Sequence, residues 1–185
     1  MPTSPSSERL GVVLIGHGAP ATDCPPRLIG ELMSLEWRGN AGGHGHSHDH
    51  APNGRAAELD ARIRNWPRTP ENDPYKAGLE RLAAALRPLL PTELFAIGYN
   101  EFCRPTIEEA IGQVIQGGAA RVLVMPTMLT PGGVHSERDI PRELEAIRRR
   151  HAGVPIDYVW PFDLQDVAAL LAGHVRRAVD AGTVH

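Results

Sequence analysis

Four short apolar runs, each stopping abruptly at a glycine, an asparagine or a proline, constrain this chain more than any other feature. They are Gly11-Val12-Val13-Leu14-Ile15, Glu93-Leu94-Phe95-Ala96-Ile97-Gly98-Tyr99, Arg121-Val122-Leu123-Val124-Met125 and Pro155-Ile156-Asp157-Tyr158-Val159-Trp160. Runs that are apolar on both faces suit strands covered by helices on both sides, as in parallel sheets. Helical stripes follow the last three and precede the second: Leu79, Leu82, Ala83, Leu86 and Leu90; Ile107, Ala110, Ile111, Val114 and Ile115; Ile140, Leu144 and Ile147; Val167, Leu170, Leu171, His174 and Val175. Local signals mark their ends. Asp73-Pro74 reads as an N-cap with a first-turn proline, and Thr106 with Glu109 as a capping box that Gly117-Gly118 terminates. Arg148, Arg149 and Arg150 fall in a last turn, where they oppose the helix dipole. This alternation predicts an α/β fold: a doubly wound, mainly parallel four-stranded sheet flanked by helices, with right-handed crossovers.

One interruption breaks the pattern, from about Ser34 to Asp73. It contains a tract with no core-forming residues, in which His44, His46, His48 and His50 alternate with small or acidic neighbours. A mobile insertion is expected there, at about 38–54, followed by a helical piece from Ala56 to Trp66. The 185 residues suit a single domain spanning 1–185. A net charge of −3 provides no global basic field for nucleic acid or an anionic membrane. The polar, Pro/Ser-rich start has no signal-like apolar region, and no apolar run approaches the roughly 20 residues of a membrane helix. Cys24 and Cys103 are too few for a disulfide scaffold and read as buried thiols in a reducing compartment, so a cytoplasmic location is expected.

In an open parallel sheet, ligands bind beyond the carboxyl ends of the strands, near the point where strand order reverses. The polar residues at those ends are His17, then Asn100 and Glu101, then His135 in the loop after the third run. Two imidazoles and a carboxylate suit a borderline divalent metal, and neutral imidazole also accepts protons near neutral pH. Gly16 and Gly18 bracket His17, and Gly132-Gly133 precede His135. Glycine permits close backbone approach to a ligand, although a tight turn after Gly16 has the same need. No Gly-x₄-Gly-Lys-[Ser/Thr] loop and no Gly-x-Gly-x-x-Gly fingerprint is present, which disfavours nucleotide-driven and dinucleotide-dependent chemistry.

Three segments together resemble a known family: Leu14 to Gly18, Asn100-Glu101-Phe102-Cys103-Arg104-Pro105-Thr106-Ile107-Glu108-Glu109-Ala110, and Val124 through Gly132-Gly133-Val134-His135 to Asp139-Ile140-Pro141. They are similar to the class II tetrapyrrole chelatases, and in particular to the small CbiX type, the sirohydrochlorin cobaltochelatases with their ferrochelatase relatives. The resemblance covers Gly11 to about Pro161 without the insertion. It implies a doubly wound fold, ATP-independent insertion of a divalent metal into sirohydrochlorin, and pairing as a homodimer. The metal would be Co²⁺ foremost, or Fe²⁺ or Ni²⁺, with no cofactor beyond that substrate ion. It also implies active-site histidines at His17 and His135 and a glutamate at Glu101.

On this reading His17 and His135 hold the ion and take up protons as it leaves, with Glu101 as a further ligand or an orienting base. Arg104 and Arg138, with Gly16, Gly18, Gly132 and Gly133, are the candidates for contact with a carboxylate-rich macrocycle. His44, His46, His48 and His50 are expected to be auxiliary metal ligands for storage or delivery. A metal-storage or metallochaperone protein is the non-enzyme alternative. Histidine phosphatases share the look of Gly16-His17-Gly18 but carry Arg where Gly16 stands.

Overall fold

The computed structural model describes residues 9–41 and 54–182. The histidine tract, His44 to His50, lies outside the described residues. The element order is β1 (Leu10–Gly16), α1 (Pro26–Ala41), α2 (Gly54–Arg64), α3 (Pro74–Leu86), β2 (Leu94–Tyr99), α4 (Ile107–Gln116), β3 (Arg121–Pro126), α5 (Ile140–Arg150), β4 (Ile156–Tyr158) and α6 (Leu164–Asp180). The caps expected from the sequence form. The Asp73 side chain accepts from the Lys76 N–H ahead of α3, and Thr106 and Glu109 make a reciprocal capping box on α4.

All strands are parallel, in the order β2-β1-β3-β4. β1 therefore sits centrally, with Val13 opposite Ala96 on one side and Val124 on the other. Its alternate residues face two separate cores. Val13 and Ile15 pack with Ile107, Ile111, Ile140 and Leu144 from α4 and α5. Val12 and Leu14 pack with Leu79 and Ala83 from α3, and with Phe95 and Tyr99 from β2. Each fully buried aliphatic of this kind contributes roughly 1.5–3 kcal/mol relative to exposure. Gly98 lets β2 lie close to α4, since a Cβ there would stand 3.2 Å from the Cβ of Ala110 and the Cα of Ile107.

Three features differ from the sequence expectation. The segment after the first strand forms α1, whose Leu28 and Leu32 make a third core with Leu59 and Ile63 of α2. Because α1 continues to Ala41, helix occupies the first residues assigned to the insertion. The fourth strand is only Ile156–Tyr158, a short edge strand whose outer neighbour is absent among the described residues. His135 lies not in a loop but on a π-helical turn, His135–Asp139, that runs directly into α5. α6 forms as the apolar stripe predicts, yet none of its residues is buried.

Candidate metal centre

The sheet order places β1 and β3 side by side although the chain visits β2 between them. The direction of winding reverses at this pair, which opens a crevice beyond their carboxyl ends. His17 leaves the end of β1, Glu101 follows the end of β2, and His135 lies on the turn after β3. One ligand atom from each of these three lies within 4.8 Å of the others. The two imidazole rings meet edge to face, with centroids 4.7 Å apart. All three side chains are half-buried, which lets a ligand reach them while limiting competition from bulk water.

The loops carrying His17 and Glu101 are joined as an extension of the sheet ladder. The Asn100 N–H donates to the Gly16 carbonyl at 3.0 Å, and the Glu101 N–H donates to the His17 carbonyl at 2.9 Å. Gly18 has φ +90°, and a Cβ there would collide with the Glu101 carbonyl. Gly16 is restricted by packing alone, because a Cβ there would strike the Leu79 side chain, which would have to shift. The protein's own packing thus accounts for glycine at both positions, most strictly at Gly18. Gly132 has φ +94° and open space around it, while a Cβ on Gly133 would lie 3.1 Å from Ser136 Oγ. Both are exposed beside the π-helical turn.

Hydrogen bonding defines which imidazole nitrogens are available. His17 Nδ1 lies 2.8 Å from the Gly18 carbonyl oxygen, so a proton on Nδ1 satisfies that contact and leaves the Nε2 lone pair free. The His17 backbone N–H donates to the Tyr75 hydroxyl at 2.7 Å. His135 Nδ1 lies 2.9 Å from Asp139 Oδ2, one helical turn further on, and 3.1 Å from the Asn100 side-chain amide. An Nδ1–H donating to Asp139 likewise leaves His135 Nε2 free. A carboxylate behind a histidine in this way orients the ring and raises its basicity toward a metal. Glu101 Oε1 is 3.8 Å from His135 Nδ1, too far for a hydrogen bond. Asp139, and not Glu101, makes the hydrogen-bond contact to His135 Nδ1 that suits an orienting partner.

Asp139 and Asn100 were the residues without a sequence-assigned role. Asp139 carries a visible signal, its i+4 spacing from His135, but that spacing is informative only once the segment is helical. The arginines stand as follows. Arg104 pairs with Glu109, and its Nη1 donates to Asn65 Oδ1 at 3.0 Å. Arg138 Nε donates to Asp139 Oδ1 at 3.3 Å, so it touches the carboxylate that orients His135. A cavity of about 310 Å³ adjoins Asn100 and is lined also by Asp60, Arg64, Arg104, Glu108 and Glu143. Burial there pushes the Glu143 carboxyl up to about 7; Arg64 and Arg150 act against this, while Glu108 and Asp60 add to it.

Cys24 and Cys103 are buried free thiols, and burial raises the pKa of both, which keeps them protonated and poor as metal ligands. No helix among the described residues is long and apolar enough to cross a membrane.

A family model described as CbiX matches residues 71–178. The sirohydrochlorin cobaltochelatase of Methanocaldococcus jannaschii is 39% identical over 79 residues, which is 42% of this chain and 54% of that protein. That of Sulfurisphaera tokodaii is 32% identical over 92 residues, 49% of this chain and 72% of that protein. The chain spans about half the length of the Methanocaldococcus relative. Among solved structures, a cobalamin (vitamin B12) biosynthesis CbiX protein from Marinobacter aquaeolei VT8 superposes with a TM-score of 0.55 at 15% identity. That match covers 95% of this chain and 98% of the other, and it shows a shared fold.

Proposed function

The chain belongs to the CbiX family, and on that premise we propose that it inserts a divalent transition metal into sirohydrochlorin without nucleotide hydrolysis. The observation that carries the reading is the meeting of His17, Glu101 and His135, with ligand atoms within 4.8 Å of one another. Co²⁺ is the metal favoured, because the relatives at 39% and 32% identity are named cobaltochelatases. Fe²⁺ and Ni²⁺ accept the same donors.

Insertion exchanges one metal dication for the two protons on the pyrrole nitrogens. His17 and His135 hold the ion through their free nitrogens, with Glu101 as the anionic third donor. As the ion passes to the macrocycle, each imidazole nitrogen that it vacates becomes able to accept a proton, so two histidines balance two N–H protons. Asp139 stabilises the cation that forms on His135, by the 2.9 Å contact to its other nitrogen. Arg138 and Arg104 are placed in the same reading as partners for the macrocycle's carboxylates, each exchanging an exposed intramolecular pair for a substrate one. The ion is substrate, and no further cofactor is invoked.

The same reading includes a homodimer in the cytoplasm. Support for the dimer is the outer face of α6, where Leu170, Leu171, Val175 and Val179 are each more than half exposed. An apolar helix stripe left exposed among the described residues is a candidate association surface. Two unpaired thiols support a reducing compartment.

An anaerobic assay with sirohydrochlorin and each of Co²⁺, Fe²⁺ and Ni²⁺ tests the proposal. The expected result is a metal-dependent shift of the tetrapyrrole absorption, far faster than without protein. Metal binding with no acceleration for any ion would instead select the storage reading.

A further inference from the structure

The turn that carries Glu101 is bound on its far side by two arginines that the site itself does not contain. Arg64, at the end of α2, donates from Nη2 to the Asn100 carbonyl and from Nη1 to the Cys103 carbonyl, both at 3.1 Å. Arg68, four residues later, donates from Nη2 to the Phe102 carbonyl at 2.6 Å. Its Nη1 donates to the Ala19 carbonyl at 2.7 Å, and so reaches the loop that follows His17. The remaining carbonyl, that of Glu101, accepts from the Cys103 N–H and lies against Gly18. Every carbonyl from Asn100 to Cys103 is thus accounted for, three of them by guanidinium groups.

Such a turn needs holding. Phe102 has φ +57°, the left-handed region that a non-glycine side chain rarely adopts unless its surroundings enforce it. Both arginines are themselves fixed, Arg64 by Asp60 at 2.8 Å and Arg68 by the buried Asp73 at 2.6 Å. Two planar forks aimed at backbone oxygens form a rigid clamp, because guanidinium donors keep a set geometry and stay charged. Both arginines precede the segment 71–178 that the family model matches. They come from the stretch between the first strand and α3.

We propose that Arg64 and Arg68 are positioning residues for the metal centre, holding the 100–103 turn so that Glu101 faces His17 and His135. The inference rests on the reading of these three as metal donors, and deepens it. Arg68 also ties the His17 loop to the Glu101 loop through Ala19 and Phe102, which adds a side-chain tie to the backbone bonds that join them. The segment after β1 is thereby part of the site's support.

The test is Co²⁺ titration of the full chain, read from the visible absorption of the bound ion, for wild type, Arg64→Gln, Glu101→Gln and the double variant. Binding by the histidine tract is common to all four and drops out of the comparison. Arg64→Gln is expected to weaken binding at the Glu101-dependent site about 10-fold, the usual scale for loss of an outer support. The double variant should bind no more weakly than Glu101→Gln alone, since both changes remove the same donor. A folded Arg64→Gln protein with wild-type Co²⁺ affinity overturns the clamp, as does full multiplication of the two losses in the double variant. Unaltered binding in Glu101→Gln overturns the metal-centre reading, and this inference with it. If Arg64→Gln does not fold, Arg64→Lys and Arg68→Lys keep the charge and lose the fork, and the same loss is expected of them.

Discussion

The rings of His17 and His135 stand edge to face at 85° with their centroids 4.7 Å apart, although β2, β3 and four α-helices separate them along the chain. Each ring has one nitrogen engaged by an oxygen, from Gly18 and Asp139 respectively, and one with no hydrogen-bond partner among the described residues. Two such nitrogens and the Glu101 carboxylate are enough to grip one ion within a single chain. His17→Ala and His135→Ala should each lower the insertion rate at least about 100-fold while leaving the melting temperature within a few degrees, because both side chains are half-buried rim residues. Steady-state insertion rates and thermal melts of the two variants measure this. Near-normal rates in both would end the proposed mechanism.

Asp139 should matter through His135. Asp139→Asn keeps the shape and one hydrogen bond but removes the negative charge, so Co²⁺ affinity is expected to fall about 10- to 100-fold. In a His135→Ala background the same change should cost little, which a four-protein comparison of dissociation constants resolves.

The Glu143 carboxyl, pushed up to about 7 by burial, makes stability depend on pH. Its folded pKa is above the unfolded one, so the folded state holds the proton more tightly. The associated stability is present at acidic pH and is lost as pH rises toward and through 7. Glu143→Gln removes the buried charge and should stabilise the protein at pH 8 by about 1–2 kcal/mol, after discounting for the partial exposure of the residue. At pH 5 the gain should largely vanish. Denaturant melts at the two pH values give both numbers.

Leu171, Val175 and Val179 repeat every four residues along the exposed face of α6. Leu171→Asp with Val175→Asp should weaken self-association at least about 10-fold and leave the monomer folded, since neither residue contributes to the core. Light scattering on the wild type and the double variant reads this directly. A wild-type chain that is monomeric at all concentrations would remove the dimer.

The histidine tract is predicted to act on supply. Deleting 43–50 should leave insertion unchanged at saturating metal and lower it at scarce metal. Rates over a range of free Co²⁺ compare the two regimes, and equal rates at both would leave the tract without a role in delivery.

Much of the fold was legible because it is written in short-range patterns. β1 reads as buried on both faces because Val12 to Ile15 are apolar without a break, and α4 reads complete from its capping box to Gly117. α1 has no counterpart among the stripes read from the sequence, although Leu28, Leu32 and Leu35 recur at helical spacing within it. At the site, the residue types His17, Glu101 and His135 could be picked out at strand ends, but the partner that orients His135 could not.

By itself, the sequence determined the alternation of strands and helices, the caps, and which polar side chains stand at the strand termini. Those follow from periodicity and turn chemistry, which act over a few residues. Only the tertiary structure decided that β1 lies between β2 and β3, that the turn at His135 is π-helical, and that Arg64 and Arg68 reach back to the Glu101 turn. Strand order and such long-range contacts come from burying both faces of one sheet at once, a condition on the whole chain that no local window contains.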